Sequence, residues 1–278
     1  AFQQCACDVA NYIQSVFQIP SGDNSHIEIV FNQSWSPILT PPPNVLAVGG
    51  SLNTDPAFVA NVAGFYGGDT YVHYTTGIDP NLTSNVDGEI RVNFLAPWRD
   101  CVSPRNCSQY DLFSVLLHEF THVLGWESKV QEIVSPPYAA SIYSPFQKFS
   151  KYDDKFLYNG SVLAAAPPLI KIVSPGPIIT LGLPPSPLTG AQLWMDPNKE
   201  NDPVNNQNNP VYSNILFTPG SFPPNTNSHL GDYQSGFDDQ AYLAPGFIQN
   251  YVMAPTFYQN QIKNIWTEQE LRALNLMG

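Results

Sequence analysis

Two histidines and a glutamate occur together in the segment His118-Glu119-Phe120-Thr121-His122. At positions i and i+4 of a helix, two imidazoles project from the same face, about one turn apart. Neutral imidazoles at this spacing can hold one Zn²⁺ ion. Glu119 directly follows the first ligand, so its carboxylate can reach a metal-bound water, act on it as general base and pass the proton to a leaving amine. The pattern therefore predicts metal-assisted hydrolysis.

This pattern is specific, because the composition of the chain predicts only roughly 0.003 chance occurrences. The segment also falls in an apolar stretch that predicts a buried helix from Asp111 to Leu124, where unpaired His and Glu side chains would be costly. Asp111 is the expected N-cap, and Gly125 the expected stop. The alternative is a metal-free structural domain in which the helix is only hydrogen-bonded.

Zinc needs a third protein ligand, and several residues near the helix are poor candidates for it. Ser128 offers a neutral hydroxyl, which binds zinc weakly. Glu127 lies just past the predicted helix end. A glutamate on a later helix is disfavoured, because no glutamate occurs between Glu132 and Glu200.

Two kinds of candidate remain for the third ligand. Asp153 and Asp154 offer carboxylates, and His229 lies in the polar, proline-flanked loop SFPPNTNSHLGDY, where a distant ligand would be expected. The two histidines that precede the helix, His26 and His73, fall in predicted strands and are expected to be structural. On these residues alone the choice stays open.

The composition limits the classes of partner. Formal net charge is −12, which disfavours nucleic acid and anionic membrane surfaces, and no apolar run reaches the roughly 18 residues of a membrane span. Few lysines with many Asn, Thr, Ser and Pro are typical of secreted or cell-surface proteins. The sequence starts at alanine without a visible signal peptide, so a processed or trimmed form is expected.

The predicted elements indicate an α+β fold within a single domain of 278 residues. Hydrophobic spacing predicts a first helix from Asp8 to Phe17, and alternation predicts strands over 26–31, 70–76 and 87–95. The segment 45–52 suits a strand or a loop. The region 133–264 is rich in Pro, Asn, Ser and Gly, which predicts loops. Thr267 and Glu270 predict a capping box for the closing helix.

Cys5 and Cys7 are expected to be paired structural cysteines, the alternative being a cysteine switch in which a thiolate caps the zinc. The pairing of the four cysteines is open. Cys101 and Cys107 bracket a short loop and could pair, whereas Cys5 and Cys7 are too close to bridge each other comfortably. Three connectivities are possible, and the sequence does not choose between them.

The segment HEFTHVLGWES resembles the metzincin zinc peptidases, whose motif runs HExxHxxG and usually on to His or Asp. Gly125 matches their glycine. The chain also resembles the leishmanolysin-like branch, in which the third histidine follows a long insertion, and a group of predicted secreted metzincins with an SHL-type ligand loop and an LMxP-type turn. These resemblances imply that His229 is the third ligand and that Met253, in NYVMAP, forms a methionine turn beneath the zinc.

The resemblance further implies an architecture. An N-terminal lobe (1–128) would hold a twisted mixed sheet and the active-site helix, a loop-rich C-terminal lobe (129–278) would follow, and zinc would lie in the cleft between them. The segment GEIRVNF would be the edge strand above the cleft. An extended substrate would then bind Ile90, Arg91, Val92 and Asn93 by strand pairing.

The expected function is that of a secreted zinc-dependent endopeptidase with one catalytic Zn²⁺ ion, acting on protein or peptide substrates. The oligomeric state is open, with a monomer as the default. Calcium could bind around Asp238 and Asp239, although no spacing supports a definite site. The alternative is a catalytically inactive, zinc-bearing surface binding protein on a protease scaffold. Glu119 disfavours that alternative, because a binding protein has no need of a general base.

Overall fold

The computed structural model of the chain describes residues 2–17, 26–32, 45–60, 64–81, 86–99, 108–127, 130–133, 139–143, 148–152, 156–158, 161–162, 170–173, 178–181, 193–195, 252–253, 257–267, 270–271 and 274–275. Its elements, in chain order, are α1 (Phe2–Val16), β1 (Ile29–Asn32), β2 (Ala47–Ser51), α2 (Pro56–Val59), β3 (Gly64–Tyr66), α3 (Gly68–Thr76), β4 (Gly88–Val92), β5 (Trp98–Arg99), β6 (Tyr110–Asp111), α4 (Leu112–Val123), β7 (Val130–Ile133), β8 (Ala139–Tyr143), β9 (Lys148–Ser150), β10 (Phe156–Tyr158), β11 (Ser161–Val162), β12 (Ile170–Val173), β13 (Ile178–Leu181) and β14 (Leu193–Met195).

The chain divides into two units that interleave in sequence. Unit 1 comprises Ala1–Asp55, Gly68–Gly125 and Thr256–Trp266. Unit 2 comprises Pro56–Gly67, Trp126–Pro255 and Thr267–Gly278.

Unit 1 contains a small mixed sheet with the strand order β1-β4-β2. β4 runs parallel to β1 and antiparallel to β2. Along β4, Ile90 and Val92 are buried, whereas Glu89 and Arg91 lie on the other, partly exposed face. The alternation predicted from the sequence is therefore confirmed, and it gives the sheet one face for the core.

The prediction that GEIRVNF is an edge strand is wrong. β4 is the central strand, paired with β1 on one side and with β2 along its whole length on the other. Asn93 continues this pairing, because its amide donates to the carbonyl of Leu46 at 2.9 Å. The backbone of Ile90, Arg91, Val92 and Asn93 is therefore not free for strand pairing with a substrate. Alternation within one strand does not reveal how many neighbours that strand has.

The helix α4 forms where the sequence predicts it. The Asp111 carboxylate accepts the Ser114 backbone N–H at 3.0 Å as the N-cap, and Arg99 pairs with the same carboxylate. Nearly every residue of α4 is buried, and the helix packs on β2, β4 and α1. Gly125, at φ 109°, ends the helix in a conformation that favours glycine.

The segment TYVHYTT is not the predicted strand but part of the helix α3. The chain turns into α3 at Gly68, which has φ 77°. The Asp69 amide then donates to the Leu52 carbonyl at 2.7 Å, and the Thr70 amide donates to the Ser51 hydroxyl at 3.0 Å. These tertiary contacts satisfy the start of the helix and override the β-propensity of its Thr, Tyr and Val residues.

The described strands of unit 2 form three small sheets. One is antiparallel with the order β12-β13-β8-β7, another has the order β11-β10-β14, and β3 pairs in parallel with β9.

Near the C-terminus the predicted capping box is confirmed. The Glu270 carboxylate accepts the Thr267 amide at 2.8 Å, and the Glu270 amide donates to the Thr267 hydroxyl at 3.3 Å.

Two further findings concern the helices and the cysteines. None of the helices in the described ranges combines the length and apolar character that a membrane span requires. Cys5, buried in α1, is disulfide-bonded as expected, whereas Cys7 is an exposed free thiol, so the expected pairing is wrong for Cys7. Cys101 and Cys107 lie outside the described residues.

Candidate metal centre

The side chains of His118, Glu119 and His122 converge on α4. The two Nε2 atoms of the histidines lie 3.1 Å apart, and the ring planes are inclined by 84°. One ligand atom from each of the three residues lies within 4.8 Å of the others. His118 and Glu119 are only 7% and 6% exposed, while His122 is partly exposed.

The donor atoms fit a zinc ion. Two nitrogens bound to one tetrahedral zinc at about 2.0–2.1 Å stand roughly 3.4 Å apart. The observed separation of 3.1 Å between the Nε2 atoms is close to that value. His118 and His122 would hold the metal. The Glu119 carboxylate is near enough to both histidines to reach a water molecule that the metal would bind.

A glycine of β2 allows the sheet to approach the helix at Glu119. A Cβ atom at Gly49 would lie 2.5 Å from the Glu119 carbonyl oxygen, a distance that real Cβ atoms do not adopt. Gly88 of β4 has the same role one turn later, because its Cβ would lie 2.4 Å from Cγ1 of Val123. Sequence reasoning missed both contacts, although glycines inside a strand are a known signal of close backbone approach.

A hydrogen-bond chain holds α4 through Thr121. Its hydroxyl donates to the Leu117 carbonyl at 2.6 Å and accepts the indole N–H of Trp266 at 3.0 Å. The Trp266 amide in turn donates to the Tyr12 hydroxyl of α1 at 2.9 Å. This chain links α4 to α1 and fixes the rotation of the helix that carries both histidines.

An aromatic ring lies beside His118, and a buried lysine lies over that ring. The Phe257 ring meets the His118 imidazole edge to face, with centroids 5.4 Å apart. The Lys263 ammonium lies 4.2 Å from the centroid of the Phe257 ring, and the Lys263 amide donates to the Ser114 hydroxyl at 2.7 Å. No pattern in the sequence predicts these neighbours, because they are distant from α4 along the chain.

The chain turns sharply after His122, as predicted from Gly125. The Gly125 amide donates to the His122 carbonyl at 3.0 Å, and the Tyr74 hydroxyl donates to the Leu124 carbonyl at 3.1 Å. Burial raises the pKa of the Tyr74 phenol, and the nearby Tyr71 raises it further. Tyr74 therefore stays protonated as a donor to the end of the helix.

Met253, the predicted turn methionine, belongs to unit 2 and is fully buried in a turn. Its amide donates to Oε1 of Glu270 at 2.7 Å, while Oε2 of the same carboxylate serves the capping box. Sequence reasoning identified the capping box but missed the contact with Met253. The support that Met253 would give to a zinc site stays a prediction.

Several predicted residues lie outside the described part of the chain: Ser128, Asp153, Asp154, His229, Asp238 and Asp239. The third zinc ligand and the calcium expectation therefore stay predictions.

Searches of protein-family models, of curated proteins and of solved structures return no match to this chain.

Proposed function

We propose that the chain is a zinc-dependent endopeptidase of the metzincin type, with zinc held by His118, His122 and His229 and with Glu119 as general base. The observation that carries this proposal is the convergence of the two Nε2 atoms, 3.1 Å apart, with a Glu119 carboxylate close to both histidines. The acidic, lysine-poor composition supports an extracellular place of action on protein or peptide substrates.

A zinc ion bound here would polarise the scissile carbonyl and lower the pKa of a water molecule. Glu119 accepts a proton from the attacking water and then donates it to the nitrogen of the leaving amine. Because Glu119 follows His118 directly on a rigid helix, its carboxylate is held at a fixed place beside the metal ligands. The contacts of Thr121 and Gly49 with neighbouring elements keep that helix in position.

The same three residues are compatible with an inactive, zinc-bearing binding protein. In that case Glu119 would serve as a ligand, or have no chemical role, and its loss would not change any hydrolysis. A metal-free structural domain would hold no zinc on α4 at all. Zinc content and cleavage, measured on the same variants, separate these possibilities.

The decisive variant is Glu119→Gln, which keeps the shape of the side chain but removes its basicity. We expect cleavage of an unfolded protein to fall about 10²- to 10⁴-fold, as for loss of a general base. Zinc content, measured by atomic absorption, should stay at the wild-type level. Wild-type cleavage should stop with a chelator and return with added zinc.

The matched control is Glu28→Gln, because Glu28 is a partly exposed carboxylate that pairs with the exposed His26 and not with α4. This variant should cleave at the wild-type rate. If Glu119→Gln also cleaves at that rate, the mechanism is wrong. Wild-type protein that holds zinc on α4 but cleaves nothing would instead support the binding protein.

A further inference from the structure

A second group of metal-binding side chains lies in unit 1 and shares no residue with the α4 site. It consists of His73 in the last turn of α3, Asp79 just after that helix, and Asp87 just before β4. One ligand atom from each lies within 4.8 Å of the others. His73 Nδ1 is 3.2 Å from each carboxylate oxygen of Asp87.

Asp87 is held in place by its neighbours. Its Oδ2 accepts the Glu28 amide at 2.8 Å, and its own amide donates to the Glu28 carbonyl at 2.8 Å. The Asp87 carbonyl accepts the Leu52 amide at 2.8 Å and the Thr70 hydroxyl at 3.1 Å. The carboxylate is therefore positioned by the fold and would need little rearrangement to bind an ion.

Asp79 reaches the group through a turn. Gly77, at φ 69°, reverses the chain after α3, in a conformation that favours glycine. The Asn81 amide then donates to Oδ1 of Asp79 at 2.8 Å, which occupies one of the two carboxylate oxygens. Asp79 is partly exposed, so an ion has access to the group from solvent.

The charges of the group do not balance without a cation. Asp87 and His73 are only 2% and 4% exposed, and His73 is the one ion-pair partner of Asp87 among the described residues. Even a protonated His73 leaves one negative charge in excess on Asp79 and Asp87. Asp69, also buried, is not part of the group: the side-chain amide of Asn81 donates to its Oδ2 at 3.4 Å, and its carboxylate accepts the Thr54 amide. Buried charge without compensation is costly, whereas a divalent cation with a neutral imidazole and two carboxylates has no net charge.

We propose that His73, Asp79 and Asp87 form a second divalent-metal site, for Zn²⁺ or a transition-metal ion of the same class. The imidazole favours such ions, because Ca²⁺ and Mg²⁺ take oxygen ligands. The site is structural and ties the end of α3 to the start of β4, with water completing the coordination. The competing interpretation is a buried His73–Asp87 hydrogen bond without metal.

Zinc counts on the full chain test this site separately from the proposed function. The double variant His118→Ala/His122→Ala, stripped with chelator and re-equilibrated with zinc, should retain one ion per chain. Adding His73→Ala should remove that ion, whereas adding His26→Ala, at an exposed histidine, should not. A folded double variant that holds no zinc overturns the proposal, whatever Glu119→Gln does to cleavage.

A milder variant keeps the test valid if the double variant does not fold. Asp79→Asn changes a partly exposed side chain in the otherwise wild-type protein. Asp79→Asn should lower the zinc content from two ions per chain to one, or lower the zinc affinity of one site by about 10- to 100-fold. Cleavage should continue. Asp8→Asn, at a partly exposed carboxylate of α1, should keep both ions. If wild type and Asp79→Asn bind the same single ion with the same affinity, there is no second site.

Discussion

Thr121 lies between the two histidines in sequence but has no place in the metal chemistry. Its hydroxyl accepts the N–H of Trp266, and both residues are buried. Thr121→Val keeps the shape of the side chain and leaves that N–H without an acceptor. We expect the free energy of unfolding, measured in urea, to fall by about 1–3 kcal/mol, because a buried donor is left unsatisfied. The zinc content should not change.

The control for this change is Thr76→Val, at an exposed position of α3. The Thr76 hydroxyl donates to the Val72 carbonyl at 2.6 Å, as a helical Thr commonly does, and no buried donor depends on it. The free energy of unfolding should change by less than about 0.5 kcal/mol. Equal effects of the two variants would mean that the Trp266 contact contributes nothing specific.

Strand β2 meets helix α4 so closely that one of its two glycines tolerates no side chain. Gly49→Ala would place a Cβ 2.5 Å from the Glu119 carbonyl oxygen, so strand and helix must separate. We expect a loss of about 1–3 kcal/mol in the free energy of unfolding, the usual result of overpacking. Cleavage should also fall, because the displaced backbone is that of the proposed general base.

Gly50 provides a control in the same strand, since a Cβ there would meet nothing within 4 Å. Gly50→Ala should leave cleavage unchanged. The free energy of unfolding should change by less than about 1 kcal/mol, and we expect it to rise, because alanine lowers the conformational entropy of the unfolded chain. If Gly49→Ala is equally harmless, the close approach does not position Glu119.

The outer face of β4 carries an ion pair whose effect depends on pH. A hydrogen bond from Arg91 lowers the pKa of Glu89, with smaller lowering by Asn32 and by the Arg91 charge, while partial burial opposes this. Because the pKa of Glu89 is lower in the folded than in the unfolded protein, the pair stabilises the protein at pH values above the unfolded pKa of about 4.3. This stabilisation is lost as the pH falls through the folded-state pKa.

Glu89→Gln should therefore lower the free energy of unfolding at pH 7 by no more than about 1 kcal/mol, as for a partly exposed pair. The difference from wild type should shrink as the pH of the urea titration is lowered below about 4. A difference that grows towards acid pH would contradict the assigned cause. The effect should also weaken in high salt.

The sequence predicts elements well where their signals are local. The N-cap at Asp111, the stop at Gly125 and the capping box at Thr267 each involve residues within a few positions of one another. The strand predicted at 70–76 is wrong because Ser51 and Leu52, which lie outside the segment, accept the first N–H groups of α3.

The same distinction applies to the two metal groups. The residues of HEFTH are close in sequence, and their spacing on one helix predicts that they act together. His73, Asp79 and Asp87 come from a helix, a turn and the start of a strand, so no fixed spacing marks them. The strand predicted at 70–76 also places His73 wrongly, and a strand there does not bring His73 close to Asp79. Non-local side-chain groups need the fold before they can be recognised.

At the scale of the whole molecule, the proposed catalytic site joins residues that are very distant in sequence. His229 follows His122 by roughly a hundred residues, and its assignment rests on the order of Gly125, His229 and Met253 along the chain. Two imidazoles alone leave zinc short of the three protein ligands of a catalytic site. The affinity of the site should therefore depend on His229 as strongly as on the helix.

His229→Ala tests this dependence most cleanly in a His73→Ala background, where the α4 site is expected to be the remaining zinc site. Competition with a chromophoric chelator should give a zinc affinity at least about 10²-fold weaker, beyond the range seen for loss of a supporting residue. Cleavage should be lost as well, because two ligands do not hold the metal. His26→Ala in the same background should change neither quantity. Full zinc affinity in His229→Ala would refute the assignment and direct the same measurement to Asp153 and Asp154, the carboxylates that the sequence left open.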